Sequence, residues 1–115
     1  MTNANTCLVA CLCAAWCRAC DGYRDTFDAL ARENDAAVRF VWVDIEEDED
    51  ALSIVDIVAF PTLLIALGEK VVFFGPVAPK PQIARRLLQR ALAGQLDARH
   101  DAELTRLAAH IARVR

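Results

Sequence analysis

Two thiols, Cys17 and Cys20, stand three positions apart in the stretch Trp16-Cys17-Arg18-Ala19-Cys20. An apolar run precedes them and an amphipathic pattern follows, so they fall where a strand hands over to a helix. The first turn of a helix offers unpaired N–H groups and the positive end of the helix dipole. A thiolate is stabilised at such a place, and the thiolate is the species that attacks a disulfide. The two-residue spacer puts the second thiol one turn on, near enough to close a disulfide with the first. The pair therefore reads as a redox couple. Cys17, at the mouth of the helix beside Trp16 and the positive Arg18, is the expected nucleophile. Cys20, further in and more buried, is the expected resolving thiol.

The elements that must position this pair follow from the hydrophobic pattern. Thr6 to Ala15 predicts a strand apolar on both faces, with Cys7, Val9, Cys11 and Cys13 on one and Leu8, Ala10 and Leu12 on the other. From Cys17 to Arg32 the period becomes helical, with Tyr23, Phe27, Leu30 and Ala31 inside, and Asn34 and Asp35 end it. Ala37 to Asp44 predicts a second strand rich in β-branched and aromatic residues. The acidic run Glu46 to Asp50 favours the start of a short helix over Asp50 to Val55. Leu63 to Leu67 and Val71 to Phe74 read as a hairpin about Gly68-Glu69-Lys70, ended by Gly75-Pro76. After Pro79-Lys80-Pro81 comes a helix with a stripe of Ile83, Leu87, Leu88, Ala91 and Leu92, capped by Gly94. The order is β-α-β-α-β-β-α, an α/β mixed sheet with helices on both faces. A further amphipathic helix, Asp97 to Arg115, carries Leu104, Leu107, Ala108, Ile111 and Val114 on one stripe. The chain divides at residue 94 into a main domain, 1–94, and a helical extension, 95–115. The stripe of the extension is expected to pack on the domain or on a second copy of the chain.

Composition excludes several classes. At 115 residues and 56% hydrophobic content, one domain with a full core is expected rather than a disordered chain. A net charge of −3 gives no reason to expect a nucleic-acid partner. The longest apolar run, Cys7 to Cys17, is eleven residues, against about 20 for a membrane helix. Met1 to Thr6 carries no Lys or Arg, which speaks against a secretory signal and for a cytoplasmic location. All five cysteines fall between Cys7 and Cys20. A disulfide scaffold spreads its cysteines to staple distant loops, so the clustering fits a reducing compartment with one working pair. Cys7, Cys11 and Cys13 are spread along one strand at about 3.3 Å per residue, too far for one tetrahedral metal site. His100 and His110 lie in the terminal segment, and core packing accounts for these three thiols.

The motif Trp16 to Cys20, with Phe60-Pro61-Thr62 further on and Pro61 44 positions beyond Cys17, resembles the thioredoxin superfamily. The likeness covers roughly residues 6–93; it lacks the first strand and helix of full-length thioredoxins, and residues 95–115 are extra. It implies a thioredoxin-like fold with a cis peptide bond before Pro61, facing the cysteine pair. It implies a groove for an extended peptide, lined by Trp16, Arg18, Ala19, Ala59, Phe60, Pro61 and Gly75. It implies a thiol–disulfide oxidoreductase of cell redox homeostasis. Such a protein reduces protein disulfide substrates, draws on an upstream thiol reductant such as a thioredoxin-reductase-like enzyme, and needs no bound cofactor or metal. Two positions depart from the family. Cys11 stands where thioredoxins carry a buried Asp, thought to take the proton of the resolving thiol, and Trp42 stands where they carry a Lys. Two rival readings follow: a binding or adaptor module that uses only the groove, favoured by the missing Asp, and a metal- or cluster-binding protein using Cys17 and Cys20.

Overall fold

A computed structural model describes residues 7–34, 37–47, 54, 57 and 59–114. Its centre is β1, Cys7–Cys13, whose seven side chains are all buried. The strand can be apolar throughout because it is interior to the sheet. It pairs in parallel with β2 (Val38–Asp44) and antiparallel with β3 (Thr62–Leu67), which pairs with β4 (Lys70–Pro76). The sheet order is β2-β1-β3-β4.

The alternation along β1 sorts the core into two layers. Cys7, Val9, Cys11 and Cys13 share one cluster with Leu63, Ile65 and Val72. The helices α1 (Arg18–Arg32) and α2 (Pro81–Leu92) cover that face with Tyr23, Phe27 and Leu30 and with Ala84, Leu88 and Ala91. Arg85 joins the two helices, its guanidinium donating to both carboxylate oxygens of Glu33 at 2.9 and 2.7 Å. Leu8, Ala10 and Leu12 form the other cluster with Val41, Val43, Leu64 and Val71. The helix α3 (Ala102–Val114) covers this second face with Leu104, Leu107, Ala108 and Ile111. Its stripe is thus spent within the chain. Arg39 fastens the far end by donating to the Ala112 carbonyl at 3.0 Å.

Several boundaries differ from the sequence reading. The extension enters its helix at Ala102 rather than Asp97, because Asp101 caps it: its carboxylate accepts from the N–H groups of Glu103 and Leu104 at 2.9 and 3.3 Å. β4 runs through Gly75 to Pro76, since Gly75 pairs with Leu63 and Pro76 with Thr62; a proline is tolerated in the last place of an edge strand. Gly94 follows α2 at a φ of 73°, a left-handed position suited to glycine after a helix end. The short helix expected over Asp50 to Val55 lies, apart from Ile54, outside the described residues, as do Thr6, Asp35 and the acidic run after Glu47.

Leu107 has no exposed surface against the sheet. Leu107→Ala is expected to cost about 2–5 kcal/mol in urea denaturation, and truncation after Gly94 to cost more. An unchanged midpoint in both would mean that α3 does not cover the sheet.

Candidate active site

β1 ends at Cys13, and the chain turns through Ala14, Ala15 and Trp16 into α1. Two hydrogen bonds shape this turn. The Cys17 N–H donates to the Ala14 carbonyl at 3.0 Å, and the Ala15 N–H donates to the Glu46 carboxylate at 3.1 Å. Cys17 is the N-cap of α1, with extended backbone angles. Its carbonyl accepts from the N–H groups of Cys20 and Asp21 at 3.1 and 3.3 Å. No side-chain hydrogen bond caps this end, and Cys17 occupies the N-cap at the positive pole of a 15-residue helix.

Exposure separates the two motif thiols. Cys17 is half-buried and free, whereas Cys20 is 2% exposed. Arg18 and Ala19 lie on the surface between them. Trp16 is 68% exposed, unusual for so large an apolar side chain. Its ring meets Phe60 edge-on at 5.6 Å between centroids, which brings the thiol turn against the segment before β3. The Phe60–Pro61 peptide bond is cis. Pro61 is buried, Phe60 and Gly75 are half-buried and Ala59 is exposed. The Thr62 hydroxyl donates to the Ala59 carbonyl at 2.6 Å, and the Val77 N–H donates to the Pro61 carbonyl at 3.0 Å. Cys17 and Phe60 both pack against both core clusters. Trp16, Cys17, Phe60 and Pro61 therefore come together through the Trp16–Phe60 contact.

Cys20 has a partner that sequence reasoning did not assign. It is bonded to Cys13, with the Cα atoms 5.9 Å apart, while Cys17 keeps a free thiol. The sequence pattern places Cys13 among the core-packing thiols of β1. It is instead the last residue of β1 on the face that α1 covers, and Cys20 points inward from the first turn of α1. The signal was present in the shared face of Cys13 and the inner side of the helix. A cleft of about 350 Å³ opens beside the bonded pair, lined also by Asp21, Arg24, Trp42 and Asp44.

The remaining thiols are of another kind. Cys11 is fully buried and stands opposite Trp42 in the β1–β2 register. The two departures from the family pattern are thus a single cross-strand pair. Arg24 lies over the Trp42 ring at 4.8 Å, and Phe27 meets that ring edge-on. Burial pushes the Cys11 thiol far up, with a small opposing pull from Arg24, and it stays protonated. Its S–H is 3.7 Å from the Cys13 sulfur; a bonded sulfur carries no hydrogen, so Cys11 is the donor. Burial raises Cys7 to about 11 and Tyr23 to about 12, the latter with help from Cys11. The Tyr23 hydroxyl is buried without a hydrogen-bond partner among the described residues. Those residues hold no group of three or more His, Cys, Asp or Glu side chains placed to bind a metal ion.

The family model for thioredoxin matches residues 1–88. Thioredoxin from Fasciola hepatica is 26% identical, covering 76% of this chain and 83% of its own, with a TM-score of 0.69. Thioredoxin from Trypanosoma brucei brucei is 23% identical over 80% of each chain, with a TM-score of 0.68. A malarial protein at 19% identity and a TM-score of 0.69 is covered over 99% of its length and 76% of this chain. No curated protein matches the sequence.

Two measurements test this division of the site. Iodoacetamide on the native chain at neutral pH is expected to label Cys17 and to spare Cys7 and Cys11. Cys7, at about 11, holds only about 10⁻⁴ of its population as thiolate there. Its raised value favours the protonated native state, so this contribution to stability is intact below the ordinary thiol range near 8.5 and falls as pH rises towards 11. Labelling of Cys11 at the rate of Cys17 would overturn the division. Tyr23→Phe removes an unpaired buried hydroxyl and is expected to raise stability by about 1 kcal/mol; a loss of that size in urea denaturation would show that the hydroxyl has a partner.

Proposed function

The chain belongs to the thioredoxin family, and from that premise we propose that it is a thiol–disulfide oxidoreductase acting on protein disulfides, in the reducing direction. One observation carries the reading: the free, half-exposed Cys17 caps α1 beside an exposed Trp16 that leans on Phe60, with Cys20 one turn further in. The Cys17 thiolate attacks a substrate disulfide. One substrate sulfur bonds to Cys17, and the other leaves as a thiolate. The Cys20 thiolate then attacks the Cys17 sulfur and expels the remaining substrate thiol, so the substrate gains two electrons and the cysteine pair loses them.

The groove beside Cys17, lined by Trp16, Arg18, Ala19, Ala59, Phe60, Pro61 and Gly75, receives the substrate chain. The large exposed indole supports this, since it offers an apolar platform at the point of attack. An upstream dithiol protein restores the reduced pair. The reading includes a cytoplasmic setting, supported by the clustering of every cysteine between Cys7 and Cys20.

Insulin reduction with dithiothreitol is expected for the wild type and absent for Cys17→Ser. Cys20→Ser is expected to accumulate covalent adducts with substrate protein through Cys17, whereas Cys17→Ser forms few. Adducts at Cys20 in Cys17→Ser, formed as readily as at Cys17 in Cys20→Ser, would overturn the assignment of roles. A folded wild type that never reduces insulin would favour the adaptor reading.

A further inference from the structure

The resolving thiol has two neighbours. Cys20 lies one helical turn from Cys17, its N–H bonded to the Cys17 carbonyl at 3.1 Å, and its sulfur is joined to Cys13 at the end of β1. Both bonded cysteines are nearly inaccessible, at 1% and 2% exposure, while Cys17 stays half-exposed as a free thiol. The nearby Cys11 is no competitor, because burial keeps it protonated and its S–H serves the Cys13 sulfur as a donor. The cleft beside the pair is lined by the acidic residues Asp21 and Asp44.

We propose that Cys13 is a third redox-active thiol: Cys20 changes partner between Cys17 and Cys13, so the oxidised chain holds a buried Cys13–Cys20 disulfide and an unbonded Cys17. This rests on the exchange reading above for how the first disulfide arises. That step leaves Cys17–Cys20 bonded. The Cys13 thiol gives its proton to the cleft, and its thiolate attacks the Cys20 sulfur. The Cys13–Cys20 bond forms, the Cys17–Cys20 bond breaks, and Cys17 leaves as a thiolate with the bonding pair. No electron is gained or lost, so no oxidant is needed. The reverse step, attack by Cys17 on Cys20, returns the disulfide to the surface, where a reductant reaches it. Cys13–Cys20 is then a sheltered form of the same oxidising equivalent. A disulfide attacked by Cys17 in that form stays attached, because the resolving thiol is already bonded.

The test is disulfide mapping of the full chain. Reduced protein is treated with one equivalent of diamide, quenched in acid, alkylated and digested without reduction. The wild type is expected to show Cys20 cross-linked to Cys13 with Cys17 alkylated. Cys17→Ser, a near-isosteric change that keeps Cys13 and Cys20, is expected to lose a pair of titratable thiols through the same cross-link. The double variant Cys13→Ala, Cys17→Ser is expected to keep every thiol. If Cys17→Ser forms no intramolecular disulfide and the wild type links only Cys17 to Cys20, the proposal is overturned. Insulin reduction by the wild type separates the two claims. Activity without a Cys13–Cys20 link sinks the third thiol alone, and a link without activity sinks the reductase reading alone.

Discussion

Everything in this fold leans on the burial of β1 on both faces. A strand with no wet side has to make each of its side chains apolar or pair it with a partner. Burying a leucine such as Leu12 contributes about 1.5–3 kcal/mol, and the strand supplies such residues to two separate layers. Of the three cysteines on the side facing α1, Cys7 and Cys11 behave in this setting as small hydrophobes. Cys7 and Cys11 have the raised, silent thiols expected of that role. Cys13 differs only in its place. It is the last strand residue, where the helix begins, and there a buried sulfur meets another buried sulfur.

The same end of β1 sets the geometry of Cys17. The chain leaves the sheet, is held by Glu46 at Ala15 and by the Ala14 carbonyl at Cys17, and enters α1 within four residues. Cys17 thereby touches both core layers while remaining reachable from outside. Trp16 bridges from this turn to Phe60, so the approach to β3 and the approach to α1 are positioned against each other. α3 acts at a distance: by covering the Leu8–Ala10–Leu12 face it keeps dry the strand from which the turn springs.

Much of this was legible in the residues, for reasons that also mark where legibility ended. β1 shows no polar–apolar alternation, but once it is read as a strand its geometry assigns both faces, since successive side chains point to opposite sides. The α1 stripe of Tyr23, Phe27 and Leu30 was equally plain. The start of α3 was not, since Asp97 and Asp101 are both residue types that cap helices, and the structure places the cap at Asp101, with Leu104 buried one turn on. The Cys13–Cys20 contact was missed for a related reason. Sequence periodicity says which face a side chain takes, but not which residue of the next layer it meets there. The pairing of Cys11 with Trp42 was hidden likewise until the β1–β2 register aligned them.

That register bears on how a resolving thiol here can lose its proton. Resemblance to the family implies a buried carboxylate at the place of Cys11 for this task. The residue present holds its own proton, and a base cannot be a group that is never deprotonated at neutral pH. The Tyr23 hydroxyl, raised to about 12, is excluded on the same ground. Trp42 brings no charge and Arg24 above its ring brings the wrong one. What remains beside Cys20 is the cleft with Asp21 and Asp44 on its walls. In the proposed exchange, the Cys20 proton would therefore leave sideways towards that cleft rather than downwards into the core. Cys13 lines the same cleft, so one side of the molecule serves both members of the buried disulfide.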